Sequence, residues 1–147
     1  MSYIDGVVLA VPTANKKKFV TQASDTDAAF IEQGALRVLE CWGDDVPAGK
    51  LTDFRRAVQA KDGETVVFSW IEWPDKETRD AGMAKVMKDP RLNMETHPMP
   101  FDGKRMIFGG FAPVVELLSD AHQHHLLRGA SSPSRGSDEG KHRPARH

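Results

Sequence analysis

Apolar and polar positions change period several times along the chain, and each change predicts an element. "YIDGVVLAVP", Tyr3 to Pro12, is β-branched and apolar and ends on a proline, which predicts a first strand. Asn15 offers a side-chain oxygen as a helix cap, and Phe19, Val20, Ala23, Ala28, Phe30 and Ile31 then recur at near-helical spacing until Gly34 ends the run. "ALRVLECW" alternates as a second strand, "GDDVPAGK" is loop, and Thr52 is placed to cap a short helix over "DFRRAVQA". After the turn signal "KDGE", "TVVFSWIEW" is the clearest strand of the sequence and is halted by Pro74. Asp75 caps a further helix that runs to Asp89, because Pro90 restricts the residue before it. "NMETHPMPFDG" is a proline-bearing loop, and "KRMIFGGFAPVVEL" closes the domain as a strand.

The order βαβ(α)βαβ predicts a ferredoxin-like α+β fold, a four-stranded antiparallel sheet with both long helices on one face. Period-2 alternation then divides the strand residues between two faces. Val8, Ala10, Leu39, Cys41, Val67, Ile71 and Ile107 form a small apolar set suited to lie under the helices, with Cys41 in the core. Asp5, Val7, Leu9, Val38, Glu40, Trp42, Phe68, Trp70, Glu72 and Phe108 form the opposite set, aromatic and carrying three carboxylates. No element remains to cover that second set, so a partner is expected, and sheet-to-sheet homodimerisation would close a barrel-like interior and remove it from water. Glu40, Glu72 and Asp5 would then stand near tryptophans in a desolvated space where a carboxyl pKa rises. The plainer reading leaves them at the barrel ends, solvated or paired with Arg37, Lys104 or Arg105.

Composition narrows the partners. The 147 residues carry a net charge of -1, so no global attraction to phosphates or to an anionic membrane is expected. Charge is uneven along the chain: residues 1–117 hold 15 Lys and Arg against 18 Asp and Glu, whereas residues 118–147 hold 5 against 3. The second stretch, rich in Ser, Gly, Pro and Arg, is expected to be a disordered polar tail behind a folded domain of residues 1–117. Cys41 is the only cysteine, which excludes an intramolecular disulfide and fits a reducing cytoplasm. The amino-terminal stretch lacks the basic region of a signal peptide and is too short for a membrane span.

Candidate chemistry is sparse. His97 stands in a loop between prolines, where a general base or a metal or haem ligand would be plausible, although a lone loop histidine is more often solvated and idle. "HQHH", His122 to His125, supplies too few fixed ligands for a physiological metal site, and none is expected. In "DGKR", Asp102-Gly103 makes a turn, and Lys104 and Arg105 are the polar rim of the closing strand; the functional alternative is that Arg105 clamps an anionic or carbonyl group of a ligand. Gly109-Gly110 marks a bulge or a place of close approach. No phosphate-cradling loop, nucleophile elbow or HExxH motif is present, and no cofactor is expected.

From Tyr3 to about Phe111 the chain resembles a bacterial family, domain of unknown function 1428, in the phrases "DGVVLAVP", "GALRVLECWGDDVPAGKLTDFRRAV", "VVFSWIEWPDKETRD", "DPR" and "MPFDGKRMIFGGF". The family is similar to the dimeric α+β barrel superfamily. That resemblance implies a range of chemistries, from cofactor-independent monooxygenases to haem-dependent enzymes, without selecting one. The resulting expectation is a cytoplasmic homodimer binding a small hydrophobic or aromatic molecule between sheet and helices. Trp42, Phe68, Trp70 and Phe108 would give apolar contact, Arg105 the polar anchor, and Glu40 or Glu72 a proton acceptor, with His97 as a further catalytic candidate. A purely structural or regulatory homodimer is the alternative, a cofactor-independent oxygenase rests on superfamily analogy, and nucleic-acid binding is disfavoured by the acidic body.

Overall fold

The computed structural model describes residues 1–122. The chain falls into two units, Met1–Val114 and Val115–His147, and the first holds every strand found among the described residues and the three helices discussed below. The expected tail, including the histidines beyond His122, lies almost wholly outside the described residues.

Four strands, β1 (Tyr3–Pro12), β2 (Arg37–Trp42), β3 (Glu64–Trp73) and β4 (Ile107–Phe111), form one antiparallel sheet in the order β2-β3-β1-β4. The two longest strands pair along ten residues at its centre, from Tyr3 opposite Trp73 to Pro12 opposite Glu64. Helices α1 (Lys16–Glu32) and α3 (Lys76–Val86) pack on one face, and the short α2 (Phe54–Ala57) precedes β3. This is the ferredoxin-like α+β arrangement that the element order predicted.

Local sequence explains the element ends. Gly34, at φ 107°, takes the left-handed conformation that ends α1, while its N–H donates to Ile31 and that of Ala35 donates to Phe30. Asp75 caps α3 by accepting from the Thr78 N–H at 2.7 Å. Asp53, rather than Thr52, caps α2, accepting from the Arg56 N–H at 2.7 Å. Asn15 stands at the cap position of α1 but donates its side-chain amide to the Pro100 carbonyl at 2.9 Å, tying the helix start to the loop before β4. Helix α3 stops at Val86, and a short turn at Pro90–Leu92 follows. The closing strand is five residues long, because Gly103–Arg105 forms a 3-10 turn before it.

Two apolar clusters fill the space between helices and sheet. Phe30, Ala35, Ile71, Trp73 and Val86 pack at one end, and Leu9, Val11, Phe19, Ala23 and Val67 at the other. A third, smaller cluster of Ala10, Val58 and Val66 lies on the opposite face, where the segment leaving α2 covers one end of the sheet.

Candidate functional site

Strand register assigns the faces, since directly opposed residues of an antiparallel pair share one. Asp5, Val7, Leu9 and Val11 of β1, and Val38, Glu40 and Trp42 of β2, stand opposite Ile71, Ser69, Val67 and Thr65 of β3, on the face that the two long helices cover. Val8, Leu39, Cys41, Phe68, Trp70 and Glu72 occupy the other face. The expected alternation therefore holds within β3 and is inverted for β1, β2 and β4: Ile107 stands opposite Val8 on the uncovered face and Phe108 opposite Val7 on the helix face. Those three strands carry apolar residues on two sides, so size alone gave no phase. Cys41 is exposed rather than in the core, and Trp42 packs under α1, its ring 6.2 Å from that of Phe19 with the Lys16 ammonium 5.2 Å away over its face.

The three carboxylates have three different fates. Asp5, only 5% exposed, accepts from the Trp73 indole at 2.9 Å and from Arg79 at 2.8 Å, and the Arg79 guanidinium also lies over the Tyr3 ring. It is a structural ion pair under the helices. Glu40 sits on edge strand β2 and keeps exposed surface as a residue, yet its carboxyl meets Asp27 of α1. Burial and that neighbouring carboxyl push its pKa up to about 8, and a hydrogen bond from Ser69 opposes the rise. Asp27 is raised by burial as well. Glu72 faces the other side of the sheet, where its carboxylate accepts from the Trp70 indole at 3.1 Å.

The space between helices and sheet is filled by packed side chains, and the concave surface lies on the opposite face. There a cleft of about 510 Å³ runs over the central strands, lined chiefly by Ile4, Val8, Phe68, Trp70, Ile107 and Phe111. An edge-to-face series crosses the same surface: Phe54 of α2 stacks at 6.1 Å on Phe68, which stacks at 5.7 Å on Trp70. Phe108 and Phe111 of edge strand β4 are 76% and 61% exposed and also border the cleft. Of the residues expected to bind a ligand, Phe68 and Trp70 thus come together, whereas Phe108, opposite Val7, belongs to the helix face and only borders the cleft at the sheet edge, and Trp42 and Arg105 stand elsewhere.

Arg105 is engaged within the fold. Its two terminal nitrogens each donate at 2.7 Å to one oxygen of Glu64, and its Nε donates to Asp102 at 3.1 Å. Nη1 also donates at 2.8 Å to the carbonyl of Gln59, a residue held at φ 50°. The fork latches the α2–β3 connection to the turn before β4, and Arg105 holds the Glu64 carboxyl down at about 2. His97 is exposed in its loop, its Nδ1 3.0 Å from the Thr96 hydroxyl, with no cluster of potential metal ligands among the described residues.

Residue-type reasoning missed Ile4, Gly6, Gly109 and Phe111 as cleft residues. The available signal was the glycine pair in the closing strand, read as a place of close approach. Gly109 fits that reading from the cleft side, and Gly110 fits it from the other side, where the Tyr3 ring leaves no room for a β-carbon.

The sequence pattern of a family described as protein of unknown function (DUF1428) matches residues 2–103. The uncharacterized protein YbaA of Escherichia coli strain K12 is 53% identical over 116 residues, which cover 79% of this chain and 99% of that protein. YbaA of Shigella flexneri matches to the same extent. Among solved structures, a dimeric ferredoxin-like protein from an uncultured marine organism superposes with a TM-score of 0.51 at 12% identity, over 79% of this chain and 98% of that one. At that identity the likeness speaks to the fold, which is ferredoxin-like in both.

Proposed function

The chain belongs to the DUF1428 family, and from that premise we propose that it acts as a homodimer, closed sheet to sheet, that holds a small hydrophobic or aromatic molecule over the uncovered face. The observation that carries this reading is the cleft itself: about 510 Å³, almost wholly apolar in lining, and bordered on this face by the largely exposed Phe111. That volume is in the range of small-molecule sites. Side chains as exposed as Phe111, Ile107 and Phe68, together on one apolar face, favour a partner over water. A second copy is the occupant that fits best, because a sheet face can meet itself about a two-fold axis, and the fold relative from the marine organism is described as dimeric.

Binding is a better description than catalysis. Glu40, the carboxyl with the clearest perturbation, lies under α1 on the far side of the sheet from the cleft. Glu72 is the ionisable candidate that shares the cleft's face, next to Trp70. The setting that suits an exposed single thiol at Cys41 is a reducing cytoplasm.

Native mass spectrometry tests assembly and occupancy together. The expected result is a dimer, with Ile107→Asp shifting it to monomer because the variant would place a charge in a dry interface. Trp70→Ala should weaken binding of an apolar probe such as naphthalene methanol about tenfold while leaving the dimer intact. A wild-type monomer at micromolar concentration would overturn the sheet-to-sheet assembly, and an intact dimer that binds no apolar probe would leave assembly as the sole role of this face.

A further inference from the structure

Two unpartnered features of the chain bear on how the copies are joined, an inference that rests on the homodimer reading above. The first is β4, the last strand of the sheet, which pairs with β1 alone, so its outer backbone groups have no strand beside them. Its sequence, "IFGGF", holds no charge and no proline to shield that edge. It is also uncovered on both faces, with Phe111 exposed on the cleft side and Phe108 on the helix side. A face-to-face contact covers Phe111 and leaves Phe108 in water, whereas a strand laid along the edge reaches both.

The second is the segment that follows. Past Ala112 and Pro113 run Val114, Val115, Glu116, Leu117 and Leu118, four aliphatic residues and a single charge. The sequence reads as strand through this stretch, yet pairing stops at Phe111 opposite Ile4, because β1 begins at Tyr3 and has almost no backbone left to offer. Residues 114–118 lie in no helix or strand, and their backbone makes no hydrogen bond with any described residue. Val114 and Leu117 are 93% and 90% exposed. Aliphatic residues with open backbone groups describe a strand that lacks its neighbour.

We propose that Val114–Leu118 of one copy lies antiparallel along β4 of a second copy, which returns the same contact. Both segments are five residues long, and aligned end to end they oppose Phe111 to Val114 and Phe108 to Leu117. Directly opposed residues share a face, so each exposed ring of β4 meets one of the two most exposed aliphatic side chains of the segment. Glu116, the one charge, falls opposite Gly109, whose missing side chain leaves the carboxylate room to reach water.

A single two-fold axis generates both contacts. It passes between Ala112 and Pro113, the midpoint of residues 107–118, and every pairing is repeated with the copies exchanged. Pro113 is tolerated there, where the chain crosses from its own sheet edge to that of the other copy. An axis at the sheet edge, directed into the space between two facing sheets, also brings one uncovered face onto the other. The exchanged strands thus close one seam of the sheet-to-sheet assembly and leave the cleft over the central strands free.

Amide hydrogen exchange followed by NMR on the full chain, above and below the dimer midpoint, tests the strand exchange. Amides within residues 114–118 and the outward amides of β4 are expected to be protected in the dimer and to lose that protection on dilution. Leu117→Asp sets a carboxylate against Phe108 of the other copy and should weaken the dimer about tenfold or more. The same variant should leave the melting temperature of the dilute monomer unchanged, because Leu117 is exposed there. Fast exchange throughout 114–118 in an intact dimer, or a dimer indifferent to Leu117→Asp, would overturn the exchanged strand and leave the homodimer standing. Protection that survives dilution would place the strand within its own chain and overturn the exchange equally. A wild-type chain that stays monomeric at every concentration would overturn both this inference and the homodimer reading beneath it.

Discussion

Glu40 holds its proton through neutral pH because its carboxyl is partly out of water and shares its space with Asp27, which lifts its pKa from the ordinary 4.5 to about 8. The sign of the consequence follows from proton counting. Between these two values the unfolded chain has released the proton and the folded chain has not, so the folded state loses ground as pH rises from about 4.5 and carries the full penalty above about 8. Taken at face value that shift would be worth several kcal/mol. Because Glu40 belongs to an edge strand and keeps exposed surface, solvent screening reduces the expected figure to about 1–2 kcal/mol. Glu40→Gln should therefore raise the melting temperature by about 2–6 °C at pH 9 and change it little at pH 5. Thermal melts across that range check it, and a parallel offset at every pH would show that Glu40 does not carry the titration. Glu64 works in the opposite sense. Arg105 holds it near 2, so its contribution is complete above the ordinary 4.5 and fades as pH falls toward 2. Arg105→Gln should accordingly flatten the acid limb of the stability curve, as followed by circular dichroism.

At the scale of elements, helix α3 is seated by an absence. A β-carbon on Gly82 would come within 2.7 Å of the Gln33 carbonyl and of the Trp73 ring, and Trp73 is wholly buried and hydrogen-bonded to Asp5. Alanine would favour the isolated helix by about 1 kcal/mol, yet overpacking against backbone and a fixed indole costs about 1–3 kcal/mol. Gly82→Ala is expected to destabilise the protein on balance, measured by the denaturant midpoint with an unchanged slope; a gain in stability would show that the helix can slide outward. The sequence announced such elements well where chemistry was local. Asp75 before its helix, Gly34 after its own and the alternation of β3 each name a partner within a few residues. What stayed hidden was the phase of β1, β2 and β4. "VVLAV" is apolar on both sides because β1 is one of the sheet's two central strands, roofed by helices on one face and partly by the segment after α2 on the other. Asp5 gave no hint either, since its partners, Trp73 and Arg79, lie 68 and 74 residues away.

The whole molecule joins an acidic surface to an apolar sheet face, and these respond to salt in opposite ways. With 18 acidic and 15 basic residues in positions 1–117, two copies brought together repel weakly at low ionic strength. The attraction proposed between them is burial of Ile4, Phe68, Ile107 and Phe111, which salt does not screen and which excluded salts strengthen. Dimerisation through that face should hold or tighten as sodium chloride rises from 0.1 to 1 M, whereas assembly through surface ion pairs would loosen. Sedimentation equilibrium at several concentrations separates the two.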